Sequence, residues 1–166
     1  MIALWEALCN DALIADLPYK METDECGQLF LWPAAGTSHS RWQAEIIYRL
    51  HVASDVASLG GEVLAECAVV TPQGVKVPDV AWISDASWNA RANRNLLTAA
   101  PDICVEVMSP SNSAEEMEAK TALYLSCGAR EVWIIDEAGQ PLFYDEKGPR
   151  AASAILPNFP LGLGNT

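Results

Sequence analysis

The 166-residue chain is predicted to adopt an α/β (α+β) fold, a mixed β-sheet flanked by helices, on three observations. Short runs rich in Val and Ile alternate with stretches of helical periodicity, the pattern of strands and helices packed in layers. Residues 102–136 read as strand, helix, strand, an order that favours parallel pairing. Two apolar runs flank Pro72-Gln73-Gly74, residues suited to a tight antiparallel turn. With 51% hydrophobic residues, the chain can build one core and is too short for two, so 1–166 is expected as one domain.

Each element follows from its local pattern. The opening MIALWEALCNDALIADLP predicts an amphipathic helix near 2–16, with acids where a signal peptide carries a basic start. A strand is expected over 27–32 and a helix over 40–58. That helix should start on a Ser40–Gln43 capping box and bury a stripe of Trp42, Ile46, Leu50, Ala53 and Ala57. Strands over 62–70 and 75–84 precede a loop with a short helical turn. Residues 102–109, DICVEVMS, lie between Pro101 and Pro110 and read as a strand buried on both faces. A helix over 113–127 has Ser113 and Glu116 as its capping pair and Gly128 as its stop. Strands over 131–136 and 141–146 come next. The stretch 148–166 mixes Pro149, Pro157 and Pro160 with Ile155, Leu156 and Phe159, and is expected as a terminal strand or arm docking on a neighbouring subunit of a homodimer.

Composition narrows the function classes. No apolar run reaches the roughly eighteen residues of a membrane span. The cysteines at 9, 26, 67, 104 and 127 are odd in number, scattered and without zinc-ligand spacing, which points to reduced thiols in a cytoplasm. No nucleophile elbow, P-loop or dinucleotide fingerprint is present.

Three charges stand where apolar residues are expected. Met117, Lys120, Tyr124 and Cys127 fall along one flank of the 113–127 helix, so Lys120 either snorkels to water or meets an anion inside the fold. On the 102–109 strand, Glu106 shares a face with Cys104 and Met108; it is paired, protonated or metal-bound there, or else reaches solvent at the strand end. Asp79 shares a face with Val77, Ala81 and Ile83, although Pro78-Asp79 is also ordinary turn chemistry. Together, two carboxylates suit a hard divalent cation and one ammonium suits a water or phosphoryl oxygen.

The order VPDVAWIS at 77–84, PDICVEVMSPS at 101–111 and KTALYLSCGAREVWIID at 120–136 resembles the Uma-type family, which carries the "putative restriction endonuclease" domain of the PD-(D/E)XK nuclease superfamily. KMETDECGQLFLWP and HSRWQAEIIYRL extend the likeness over roughly residues 20–147. The resemblance implies a restriction-endonuclease-like sheet and a metal-dependent endonuclease hydrolysing phosphodiester bonds, DNA first among its substrates. It implies that Asp79 and Glu106 are the motif acids, holding Mg²⁺ or Mn²⁺ with the Val107 backbone carbonyl. Met108 stands where the superfamily carries its lysine, and Lys120 on the helix takes over that role. Glu45 is the candidate for an early-helix glutamate that joins the metal site, or is a boundary residue facing water. Glu22 matches an acid that recurs before the glycine in the family. His39 invites assignment as a general base, with a capping or surface role as the alternative.

Net charge is −12, the wrong sign for a protein that grips phosphate backbones. The stretch 86–101 is a local exception, with Arg91 and Arg94 and no acid; it is either a nucleic-acid contact or a solvated loop. The charge and Met108 favour a second reading, a catalytically silent dimeric interaction module that keeps the nuclease fold. The set of Asp79, Glu106 and Lys120 favours the enzyme.

Overall fold

The computed structural model describes all residues except 16, 94, 161 and 163–166. In chain order the elements are α1 (Ile2–Asn10), α2 (Ala12–Ala15), β1 (Lys20–Thr23), β2 (Leu29–Trp32), α3 (Thr37–Val56), β3 (Glu62–Ala65), β4 (Val69–Thr71) and β5 (Gly74–Lys76). They continue with β6 (Val80–Ile83), α4 (Asp85–Arg91), β7 (Ala92–Asn93), β8 (Leu96–Leu97), β9 (Ile103–Val107), α5 (Ala114–Ser126), β10 (Glu131–Ile135), β11 (Pro141–Asp145) and β12 (Gly148–Arg150).

The main sheet runs β12-β11-β10-β9-β6-β3. Every residue of β6, β9 and β10 is buried, as the Val- and Ile-rich runs require of strands covered on both faces. β9 and β10 pair in parallel across α5, and the other neighbours pair antiparallel. The period-2 alternation of β9 divides the core. Ile103, Val105 and Val107 pack with Ile46, Leu50, Trp82, Trp133 and Phe143 beneath α3, while Cys104 joins Met117, Tyr124, Val132 and Ile134 beneath α5. β1 and β2 form a separate antiparallel ribbon, and a smaller sheet runs β5-β4-β8-β7. Among the described residues, no helix is long and apolar enough to cross a membrane.

The expected βαβ order, the Pro72-Gln73 turn and the mixed sheet are all present, with Thr71 opposite Gly74 across the hairpin. Gly74 has φ +97°, and a Cβ there would meet the Thr23 and Asp24 carbonyls. Ser113 caps α5 by accepting the Glu116 N–H at 3.1 Å, and Gly128 ends it at φ +99°.

Several boundaries differ from the sequence reading for local reasons. The first helix breaks at Asp11, whose carboxylate accepts the Leu13 N–H at 2.8 Å and competes with helical bonding. α3 begins at Thr37 with Gly36 as N-cap and no side-chain cap. The Ser40–Gln43 box therefore does not form, and Gln43 Nε2 donates instead to the Asp79 carbonyl at 2.9 Å. The run 62–70 is interrupted by Glu66 at φ +49°. The run 75–84 is interrupted at Pro78, which has no N–H for a ladder. The arm docks on its own chain: Leu156 and Phe159 enter the core, with the Phe159 and Trp133 rings 4.6 Å apart.

One buried carboxylate ties the α4 entrance to β9. Asp102 accepts the Ser84 N–H at 2.8 Å and the Ser84 hydroxyl at 2.9 Å. Burial alone would raise its pKa, but the Ser84 and Ser87 donors and the charge of Arg91 outweigh burial and lower it. An acid lowered by folding contributes stability above its unfolded pKa of about 4, and that contribution is lost as pH falls through the folded value. Denaturant midpoints should therefore fall below about pH 4, and Asp102→Asn should flatten part of that slope. An unchanged slope in the variant would remove Asp102 from the acid response.

Candidate active site

Pro78 stops β5 from running on into β6, so the chain bends and Asp79 turns its carboxylate toward the end of β9. There Asp79 Oδ2 accepts the Val107 N–H at 2.8 Å and contacts His39 Nε2 at 3.0 Å, while Oδ1 accepts from Lys20 Nζ at 2.7 Å. Glu106 projects from β9 toward α5, where residues four apart share a face. Lys120 Nζ donates to Glu106 Oε2 at 3.0 Å, and the Tyr124 hydroxyl donates to Oε1 at 2.8 Å. Glu22, from β1, accepts the Val77 N–H at 3.2 Å. The acids, both lysines and His39 line one cavity of about 320 Å³, with Trp32, the 33–36 turn, Ser109, Ser111, Asn112 and Glu116 around them.

The two acids are held in opposite electrostatic states. Burial pushes Asp79 up, but the His39 hydrogen bond, the Lys20 ammonium and the Val107 N–H together hold it well below the usual carboxylate range. Glu106 is raised by burial and by the Asp79 charge beside it, against the pull of Lys120, Lys20 and Tyr124. Lys120 stays cationic: burial would lower it, but Glu106 and Glu22 raise it further. Lys20 is raised likewise, by Glu106 and Asp79 against burial. The hydrogen bond to Asp79 raises His39, whose Nδ1 is buried without a partner among the described residues.

The structure thus joins Asp79, Glu106 and Lys120, and adds four residues to them. The sequence alone assigns no role to Lys20 or Tyr124 and leaves His39 and Glu22 open. Lys20 and Glu22 alternate on a four-residue strand ahead of the one predicted; beyond the family resemblance that marks Glu22, that spacing is the sign they leave. Glu45 and Arg91 stand apart from this cluster. Glu45 pairs with Arg49 at 2.5 Å one turn along α3 and does not line the cavity. The Arg91 guanidinium donates to the Ala100 and Gly128 carbonyls and so braces the end of α5. Val107 lines the cavity and also donates its N–H to Asp79. Arg94 lies outside the described residues.

Among the described residues, no three His, Cys, Asp or Glu side chains are grouped to hold a metal ion. Two carboxylates, Asp79 and Glu106, are of the ligand type that a hard divalent cation takes. Asp79 and Glu106 offer buried carboxylate oxygens, and the Lys20 and Lys120 ammonium groups already set positive charge against one oxygen of each.

The mixed sheet flanked by helices, with its cavity at the end of β9, is a restriction-endonuclease-like fold. The chain belongs to the Uma2 family, described as "Putative restriction endonuclease", whose profile matches residues 13–154. A solved structure described as a "putative nuclease belonging to DUF820", from Anabaena variabilis, is similar with a TM-score of 0.71. The two chains are 18% identical, over 90% of this chain and 92% of that one. No curated protein matches the sequence.

Proposed function

We propose that this nuclease-family chain is a metal-dependent endonuclease that hydrolyses phosphodiester bonds of DNA. The observation that carries the reading is the convergence of Asp79, Glu106, Lys120 and Lys20 in one cavity. Asp79, Glu106 and the Val107 carbonyl would hold Mg²⁺ or Mn²⁺, with Glu22 lining the same space. When bound, such an ion lowers the pKa of a coordinated water and neutralises charge growing on the scissile phosphate.

The protein's own groups do the rest. Asp79 is kept ionised by Lys20 and His39, ready to offer oxygen to a cation. Tyr124 fixes one oxygen of Glu106 and so sets the direction of the other. Lys120 orients the attacking water or stabilises the developing negative charge once its ammonium leaves Glu106. A cation entering the site would also offset part of the acidic field that otherwise repels nucleic acid.

A second reading, the silent dimeric interaction module, is favoured by one specific observation. Both oxygens of Asp79 and of Glu106 are already hydrogen-bonded within the protein.

A cleavage assay on single-stranded, duplex and branched DNA with Mg²⁺ or Mn²⁺ separates the two. Wild type should cut in the presence of metal, and Asp79→Ala and Lys120→Ala should each lose at least about a hundredfold in rate. Folded wild-type protein that binds metal and cuts no substrate would transfer the assignment to the interaction module.

A further inference from the structure

The β1–β2 ribbon carries a feature that the chemistry above leaves unused. Its register sets Trp32 opposite Lys20 and Phe30 opposite Glu22. Opposite residues of an antiparallel pair lie on the same face, as do residues two apart on one strand. The face that sends Lys20 to Asp79 and Glu22 into the cavity therefore also carries Trp32 and Phe30. Trp32 lines the cavity, yet it is 48% exposed; Phe30 is 38% exposed. An indole half in water at the rim of the cleft offers a flat apolar face on which another ring can stack.

The charge distribution says what that partner is. Ten basic residues stand against twenty-two acidic ones. Lys20 and Lys120 face Asp79 and Glu106, Arg91 holds backbone carbonyls, and Arg150 pairs with Asp145. Counterion release, the main source of grip on a duplex backbone, is weak for such a surface. Stacking of a base on an aromatic ring is the sequence-tolerant alternative, and it requires a base that is out of the duplex stack.

Resting on the nuclease reading of this cavity, we propose that Trp32 is a stacking platform for an unpaired base beside the scissile phosphate, and that the site takes single-stranded DNA in preference to duplex. The cavity holds about 320 Å³, room on the scale of one nucleotide, and the indole lies at its edge next to the strand that delivers Lys20.

The test is fluorescence anisotropy with labelled single-stranded oligonucleotides and Mg²⁺, run beside the cleavage assay. One oligonucleotide series carries a single abasic site walked along the strand, and the same sequence is also presented as duplex. Wild type should bind the intact strand about tenfold more tightly than the duplex and than the worst-placed abasic strand. Trp32→Ala should abolish both distinctions, and Trp32→Phe should keep most of them. Because Trp32 is half exposed, the variants should melt with wild type, and a melting curve verifies it.

Cleavage by wild type with Trp32→Ala unchanged in affinity and in strand preference would overturn the platform and leave the nuclease standing. Base-dependent binding that is lost in Trp32→Ala, without cleavage by wild type, would keep the platform and overturn the nuclease. Absence of binding to every strand would overturn the platform as well.

Discussion

Lys120→Met is expected to lower the cleavage rate about a hundred- to a thousandfold and to destabilise the fold by about 3 kcal/mol. Both effects have one origin. Glu106 is 3% exposed, and its oxygens meet the Lys120 ammonium and the Tyr124 hydroxyl. Removing the ammonium leaves a buried carboxylate with one neutral donor. Glu106 is already raised by burial and by Asp79, so losing Lys120 pushes it further and favours its protonated form. A protonated Glu106 is a poor partner for a cation, so the variant should lose metal-dependent stabilisation along with cleavage. The Lys120 side chain is 20% exposed, and solvent screening holds the stability loss to the lower part of the range for broken buried pairs.

A double variant separates stability from chemistry. Glu106→Gln in the Lys120→Met background removes the stranded charge while keeping an acceptor for Tyr124, so urea midpoints should recover most of the loss. Cleavage should not recover, because neither the acid nor the ammonium is present. If Lys120→Met matched wild type in both urea stability and cleavage rate, the pair would have no part in either.

Legibility from sequence follows the physics of each signal. Glu106 and Lys120 are readable because a charge breaks a strongly periodic apolar pattern, and β9 and α5 are long enough to have one. Their mutual contact follows from the strand-helix order, since α5 packs on the face of β9 that carries Cys104 and Glu106. Asp79 is legible through Pro78, although the proline ends one strand there and does not sit inside a longer one. Lys20 is hidden, and Glu22 is marked by the family resemblance alone, because β1 has four residues, KMET, two of them charged, and its pairing with β2 is a tertiary fact. His39 reads as a cap or surface residue as long as α3 is expected to begin at residue 40. With Gly36 as the cap, His39 falls in the first turn and its ring reaches Asp79. The Arg91 loop looks free because the backbone carbonyls that its guanidinium holds carry no mark in the sequence. The cavity is thus predictable where a charge violates a pattern, and invisible where short polar segments are placed by their neighbours.

Glu131→Ala is expected to cost about 3–5 kcal/mol, a loss at the upper end for a single substitution and one that arises outside the cavity. Glu131 is 3% exposed at the start of β10 and accepts four hydrogen bonds. The donors are Trp133 Nε1 at 2.8 Å, the Ser153 hydroxyl at 2.7 Å, and the N–H groups of Ala154 at 2.7 Å and Ile155 at 2.9 Å. This carboxylate fastens residues 153–155 of the arm, just before Leu156 and Phe159 enter the core. Alanine would strand the donors and free the arm, opening the covered face of Trp133, which is fully buried in the native fold. The melting temperature should fall by roughly 10 °C, with a red shift in tryptophan emission, while Glu131→Gln, which keeps one acceptor oxygen, should lie between. Cleavage distinguishes this loss from that of Lys120→Met. In the parallel register Glu131 pairs with Ile103 and Ile134 with Glu106, so Glu131 lies at the far end of the strand, about 10 Å from the position beside the site. Assayed well below its melting temperature, Glu131→Ala should cut at close to the wild-type rate; a loss comparable to that of Lys120→Met would mean that the arm sets the cavity itself, through β10 and β9.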